Sequence, residues 1–233
     1  MRLIALIIAA VISMVAGYVA ARDGSAASTL GSADAIDAVM REYGHVDIAT
    51  IDASIVVELK YATTDNFVGQ NMYGNLRRAY FRPEIAKSIA AVQQELKKID
   101  ERYSLVIYDA ARPQSVQRRM YEVVRNTPNR RYVASPENGG HHNFGIAVDL
   151  SILYDGKPVD MGSEFDSFST LSHIDDEPAL LKAGRLSKQA YNNRRLLRRL
   201  MRAHGFTTYR REWWHFQQYD IKYARRRFKL LDF

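Results

Sequence analysis

Asp149 stands inside an apolar run, Ile146-Ala147-Val148-Asp149-Leu150, directly behind Gly139-Gly140-His141-His142-Asn143-Phe144-Gly145. Read as a strand, this run places Ile146, Val148 and Leu150 on one face and Ala147 and Asp149 on the other. A carboxylate in such a setting is strongly unfavourable unless its charge is paired or bound to metal, so the fold must bring a partner to its side. His142 lies seven residues upstream, too far for one helical turn, but a histidine in a loop can converge with an aspartate in the following strand. Two partners stay open on these residues alone: a metal shared with His142, or a salt bridge to one of the 33 Lys and Arg residues. By composition His141 could serve in place of His142.

A second cluster, Arg211-Glu212-Trp213-Trp214-His215-Phe216, bears on the choice. It ends an expected strand from Thr207 to Phe216, where aromatic side chains can wall off water. His142, Asp149 and His215 would supply three N/O ligands and leave a fourth zinc position for water, with Glu212 as general base. The chain has no cysteine, so any metal must rest on histidine and carboxylate, and no disulfide framework exists. Residues three apart on a flat strand face opposite ways, so Glu212 and His215 meet only through a bulge or strong twist. The bland alternative for His215 is a core histidine.

Arg112 lies between a strand end and the helix expected to start at Pro113. There a guanidinium can point into a cleft, to steady an oxyanion or bind a carboxylate with paired hydrogen bonds; surface solvation is its alternative. Asp109, three residues earlier, is a candidate for an ammonium or for orienting Arg112. His173 and His204 carry no comparable signal.

Around these clusters the chain reads as α+β with a mainly antiparallel sheet, in one domain. Its 233 residues, 47% hydrophobic and 25% charged, suit a single ordinary core. Residues 1–21 run from Arg2 through an apolar stretch to Val19-Ala20-Ala21, the order of an export signal, with Ala27 as a second cleavage choice and an uncleaved anchor as the alternative. Residues 22–45 read as a linker and 46–233 as the domain. Strands are expected over Ile48–Ile51, Ile55–Thr63, Tyr103–Ala110 and Ile146–Leu153, the last turning at Tyr154–Pro158. Helices are expected from Pro83, with Ile85, Ile89, Val92, Leu96 and Ile99 inward, from Pro113, with Val116, Met120 and Val123 inward, and from a Ser187 cap to Gly205. Residues 126–140 and 160–186 read as loops. The net charge of +7 predicts attraction to an anionic wall or membrane surface, and export disfavours nucleic acid.

Taken together, the chain resembles the zinc D-alanyl-D-alanine dipeptidases of the vancomycin-resistance type, within the D,D-peptidase group related to the hedgehog fold. The resemblance runs from about Tyr61 to Tyr219 and rests on Tyr61-Ala62-Thr63-Thr64-Asp65-Asn66-Phe67-Val68-Gly69, Asp109-Ala110-Ala111-Arg112-Pro113, His142-Asn143-Phe144-Gly145-Ile146-Ala147-Val148-Asp149 and Glu212-Trp213-Trp214-His215. Asp160-Met161-Gly162 with Phe165-Asp166 forms a fifth block. The family pattern His-x-x-Gly-x-Ala-x-Asp selects His142 over His141. It implies one zinc per chain on His142, Asp149 and His215, Glu212 as catalytic base, and Arg112 steadying the tetrahedral intermediate. Tyr61, Asp109 and Asp160 are implied around the substrate pocket. Gly140 departs from the serine that the family often has there. The implied substrate is D-Ala-D-Ala or a close D,D-dipeptide. The alternatives are a D,D-carboxypeptidase or endopeptidase acting on peptidoglycan peptides, and a non-catalytic zinc-containing wall-binding domain.

Overall fold

The computed structural model describes residues 31–233, so the expected export signal lies outside the described residues. Its central strand is β5 (Ala147–Tyr154), buried along all but its last residue. On one side β5 pairs antiparallel with β4 (Tyr103–Asp109), from Tyr103 opposite Tyr154 to Asp109 opposite Asp149. On the other it pairs antiparallel with β8 (Glu212–Gln217), which sets Asp149 opposite His215. Register alone thus lines up Asp109, Asp149 and His215 across three neighbouring strands. A register shift between Ile107 and Asp109 makes this row possible.

Short strands complete the sheet. β2 (Val56–Val57) runs parallel to β4, and β7 (Thr207–Tyr209) antiparallel to β8. β6 (Lys157–Pro158) returns along β5 through Asp155 and Gly156, both at positive φ, as a two-residue hairpin of primed type requires. β1 (Val46–Asp47) and β3 (Tyr80–Phe81) form a separate antiparallel ribbon. The architecture is therefore the expected single-domain α+β fold with a mainly antiparallel sheet.

The apolar spacing of α2 (Pro83–Ile99) buries Ile85, Ile89, Val92 and Leu96, while Ile99 at its end is half exposed. Gln93 is also fully buried, because its carbonyl accepts the Leu105 N–H at 2.7 Å and its amide reaches Ser54 at 3.0 Å. α3 (Gln114–Val124) takes Pro113 as its cap and buries Val116, Met120 and Val124; Val123, expected inward, faces solvent. The Ser187 hydroxyl caps α5 (Lys188–Ala203) as expected, accepting from the Ala190 N–H at 2.9 Å. Gly205 follows that helix at φ 85°.

Several stretches differ from the sequence expectation. The stretch 22–45 read as linker contains α1 (Ala33–Glu42), capped by Ser32 and docked through fully buried Ile36 and Met40. One pair of apolar residues a turn apart is a weak periodic signal, and packing onto the core supplies the rest. Only Val56 and Val57 of the expected strand Ile55–Thr63 enter the sheet, and Lys60–Ala62 form a 3-10 turn; Ile48–Thr50 forms another. The loop 160–186 contains α4 (Glu177–Lys182), whose Glu177 is buried against Arg198 at 2.7 Å. Finally, Thr207 to Phe216 is two strands joined at Arg210-Arg211, followed by α6 (Ile221–Arg227).

Candidate active site and metal centre

The chain leaves Gly140 in a 3-10 turn, His141–Phe144, that ends on Gly145 at φ 66°. The Asn143 side chain fixes this turn from both sides, accepting the Gly140 N–H at 2.8 Å and donating to the Arg112 carbonyl at 2.8 Å. The Arg112 N–H donates to the His142 carbonyl at 3.0 Å, so the end of β4 and the histidine turn are bonded together. Gly145 has no room for a side chain: a Cβ there would fall on the ring of buried His45. Gly145→Ala is therefore expected to cost about 2–5 kcal/mol, from the left-handed backbone and the overlap combined, read by urea unfolding. A variant as stable as wild type would mean that this turn is not locked from behind.

Three donor atoms converge beside the turn. His142 Nε2 lies 3.4 Å from Asp149 Oδ1 and 3.2 Å from His215 Nδ1, which itself lies 2.9 Å from Asp149 Oδ1. His142 donates from Nδ1 to the Ala110 carbonyl at 2.8 Å, which leaves Nε2 as the lone-pair atom facing the cluster. Two imidazole nitrogens and a carboxylate oxygen within 4.8 Å of one another, with one tautomer already set, suit zinc. Burial would lower the His142 pKa, but the Asp149 and Asp109 charges outweigh it and raise it. Asp149 is pulled below the carboxylate range by His142 and His215 despite its burial.

His141 does not join the cluster, and burial together with the neighbouring imidazoles lowers its pKa to about 4.

Glu212 and His215 line the same cavity because β8 is irregular. Tyr209 pairs with Glu212 whereas adjacent Thr208 pairs with Phe216, so three residues on β8 face none on β7. This is the bulge that the three-residue spacing demanded. The Glu212 carboxyl is buried, and burial with the nearby Asp149 and Asp166 charges raises its pKa well above the ordinary value, against the pull of Arg112.

Arg112 lines the cavity with its guanidinium held from behind. Its Nε and Nη2 donate to Asp109, its Nη1 to Gln117 at 2.8 Å, and it lies over the Tyr61 ring at 5.2 Å. That leaves one N–H each on Nη1 and Nη2 without a hydrogen-bond partner among the described residues. Asp109 is completely buried, accepts from the Tyr73 hydroxyl, and is absent from the cavity wall. It holds Arg112 from behind and does not line the cavity, where the substrate pocket was expected to include it.

Tyr61 lines the cavity and donates to Asp166 at 3.0 Å. Asp160 does not line it. This exposed residue accepts from Gly162 and Ser187 near the start of α5, at 2.7 and 3.1 Å. The acid of that loop that reaches the cavity is Asp166, raised to about 8 by burial and then by the Asp149 charge. It stands in a quoted sequence block, but no spacing separates its orientation from that of Asp160. Tyr73 and Gln117, which hold Asp109 and Arg112, gave no sequence signal.

The cavity has a volume of about 300 Å³, at the small end of small-molecule sites.

The sequence profile of a peptidase family described as D-ala-D-ala dipeptidase matches residues 41–231. The chain is similar to the D-alanyl-D-alanine dipeptidase of Escherichia coli, 35% identical over 176 residues, which cover 74% of this chain and 83% of that one. It is also similar to proteins of that name from Enterococcus faecium, 29% identical over 203 residues (78% and 95% of the two chains), and Enterococcus faecalis, 28% over 187 residues (71% and 87%).

Proposed function

The chain belongs to the D-Ala-D-Ala dipeptidase family of metallopeptidases, and from that premise we propose that it hydrolyses free D-Ala-D-Ala or a close D,D-dipeptide. The observation that carries this reading is one small cavity lined by the His142, Asp149 and His215 donors, the Glu212 carboxyl, the Arg112 guanidinium and the Asp166 carboxyl.

His142, Asp149 and His215 would hold zinc, which would supply Lewis acidity toward the attacking water and the scissile carbonyl. Glu212 takes a proton from the attacking water and returns it to the leaving amine. Its raised pKa strengthens the carboxylate as a base for the first of these transfers. Arg112 directs its free N–H groups at the oxygen that gains charge, and Asp109 and Gln117 prevent it from swinging away. Asp166, half-buried and joined among the described residues by the Tyr61 hydroxyl and the Phe67 N–H, provides the counter-charge for the substrate ammonium. Recognition of that ammonium favours a free dipeptide over the end of a longer peptide.

N-acetylation of D-Ala-D-Ala is expected to lower kcat/KM about 10- to 100-fold in wild type and far less in Asp166→Asn, since the lost contact is charge-assisted. Equal penalties in both proteins would place the ammonium elsewhere. The broader test compares D-Ala-D-Ala with a pentapeptide ending in D-Ala-D-Ala, using metal-analysed protein. Cleavage of the pentapeptide alone would make the chain a carboxypeptidase, and cleavage of neither would favour a non-catalytic zinc domain. Residues 1–21 are proposed to direct export, so that the substrate is wall-derived dipeptide; N-terminal sequencing of the exported protein tests this.

A further inference from the structure

We propose that Arg131 reads the free C-terminal carboxylate of the substrate, making it a specificity-determining residue at the cavity mouth. The proposal rests on the dipeptidase reading above and assigns the end of the substrate that the reading left without a partner. A free dipeptide brings one ammonium and one carboxylate, and the cavity walls are correspondingly unlike. Asp149, Asp166 and Glu212 lie close enough to act on one another electrostatically, whereas the segment from Arg130 to Ser135 contributes two arginines and no acid.

Three arginines line the cavity, and two are already engaged. The Arg112 charge is matched by the buried Asp109 carboxylate, and its exposed N–H groups are directed at the reacting carbonyl in the mechanism above. Arg130 donates from Nε to the Tyr121 hydroxyl at 3.0 Å and lies over the Tyr121 ring. Arg131 has only the face of Tyr132 against its guanidinium, 5.4 Å from the ring centroid, among the described residues. It is the one of the three that makes no side-chain hydrogen bond among the described residues, and a guanidinium fork fits a carboxylate with two parallel bonds.

The segment carrying Arg131 is anchored although its side chain is exposed. Tyr132 stacks on Phe168 at 4.4 Å and 5°, and its hydroxyl lies 3.2 Å from His173 Nε2. Gln117, the residue that steadies Arg112, donates to the Ala134 carbonyl at 2.8 Å. Gly140 makes the close seating possible, since a Cβ at that position would lie 2.9 Å from the Ala134 Cβ. The missing side chain at 140 therefore lets the arginine-bearing segment settle against the histidine turn.

The test measures kcat and KM on D-Ala-D-Ala and on its C-terminal amide, with zinc-loaded wild type, Arg131→Gln, Arg131→Lys and Arg199→Gln. Arg199 is an exposed arginine on α5 outside the cavity, and its variant controls for net charge. Arg131→Gln is expected to lower kcat/KM on the acid about tenfold or more, mainly through KM, and to change the amide by less than about twofold. Arg131→Lys should recover part of the loss on the acid, and Arg199→Gln should match wild type on both substrates. Equal loss on acid and amide, or no loss on the acid, overturns the assignment and gives the carboxylate to another donor. Wild type that cleaves neither substrate overturns the dipeptidase reading itself, and that outcome differs from an active wild type with an indifferent Arg131→Gln.

Discussion

Glu212→Gln is expected to bind zinc as wild type does while losing about 10²- to 10⁴-fold in kcat on D-Ala-D-Ala. The substitution keeps the size and hydrogen-bonding reach of the side chain but cannot take up a proton. Glu212 is not one of the three converging donors, so the metal content should not change. It begins β8 at the bulge that turns it and His215 toward one cavity, and the exchange leaves that backbone arrangement intact. Removing a buried carboxyl whose pKa is raised by burial and by two neighbouring acids also relieves unfavourable charge, so the variant should unfold at the same temperature or higher. Metal analysis, thermal unfolding and kcat on the same preparation give three separate readings. A variant with full metal and a rate within tenfold of wild type would remove Glu212 from the role of general base.

What the sequence made legible here follows from how local each determinant is. The α2 spacing, the Ser187 cap and the Asp155-Gly156 turn depend on residues a few positions apart, and all three appear in the structure. Asp149 in an apolar strand demanded a partner, and strand register supplied His215 on the next strand. The single strand expected from Thr207 to Phe216 failed because β-branched and aromatic residues flank Arg210-Arg211 on both sides, and the pair carries no Gly, Pro, Asn or Asp to mark the turn. That same irregularity turns Glu212 toward the cavity that His215 lines. α1 was missed because its order comes from docking Ile36 and Met40 on a distant core. Asp109 and Asp160 illustrate a further limit: a sequence block can place a carboxylate near a pocket, but whether it faces the cavity, supports Arg112 or caps a helix depends on tertiary contacts.

His215→Ala is expected to weaken zinc binding by more than about 100-fold, because loss of a ligand should exceed the 10- to 100-fold typical of losing a ligand's supporting contact. His215 suits the test better than His142, whose ring also bonds the Ala110 carbonyl and braces the turn at the end of β4. In wild type, zinc at 100 to 1,000 times its Kd should add about 2.7–4.1 kcal/mol to stability, which for a domain of this size is roughly 5–15 °C in Tm. The variant should show almost none of that shift at the same zinc concentration, each protein being compared with its own metal-free Tm. The pH dependence has a definite sign. Asp149 is already ionised across the neutral range, whereas the raised His142 pKa means that this ring keeps a proton to higher pH than a free histidine. Binding must expel that proton, so apparent zinc affinity falls as pH drops through the His142 pKa, and proton release accompanies loading. Competition titrations across pH, read together with the Tm shift, check both parts. If His215→Ala kept the wild-type zinc shift, the ion would be held elsewhere, and the row formed by β4, β5 and β8 would be an ion-paired core and not a metal centre.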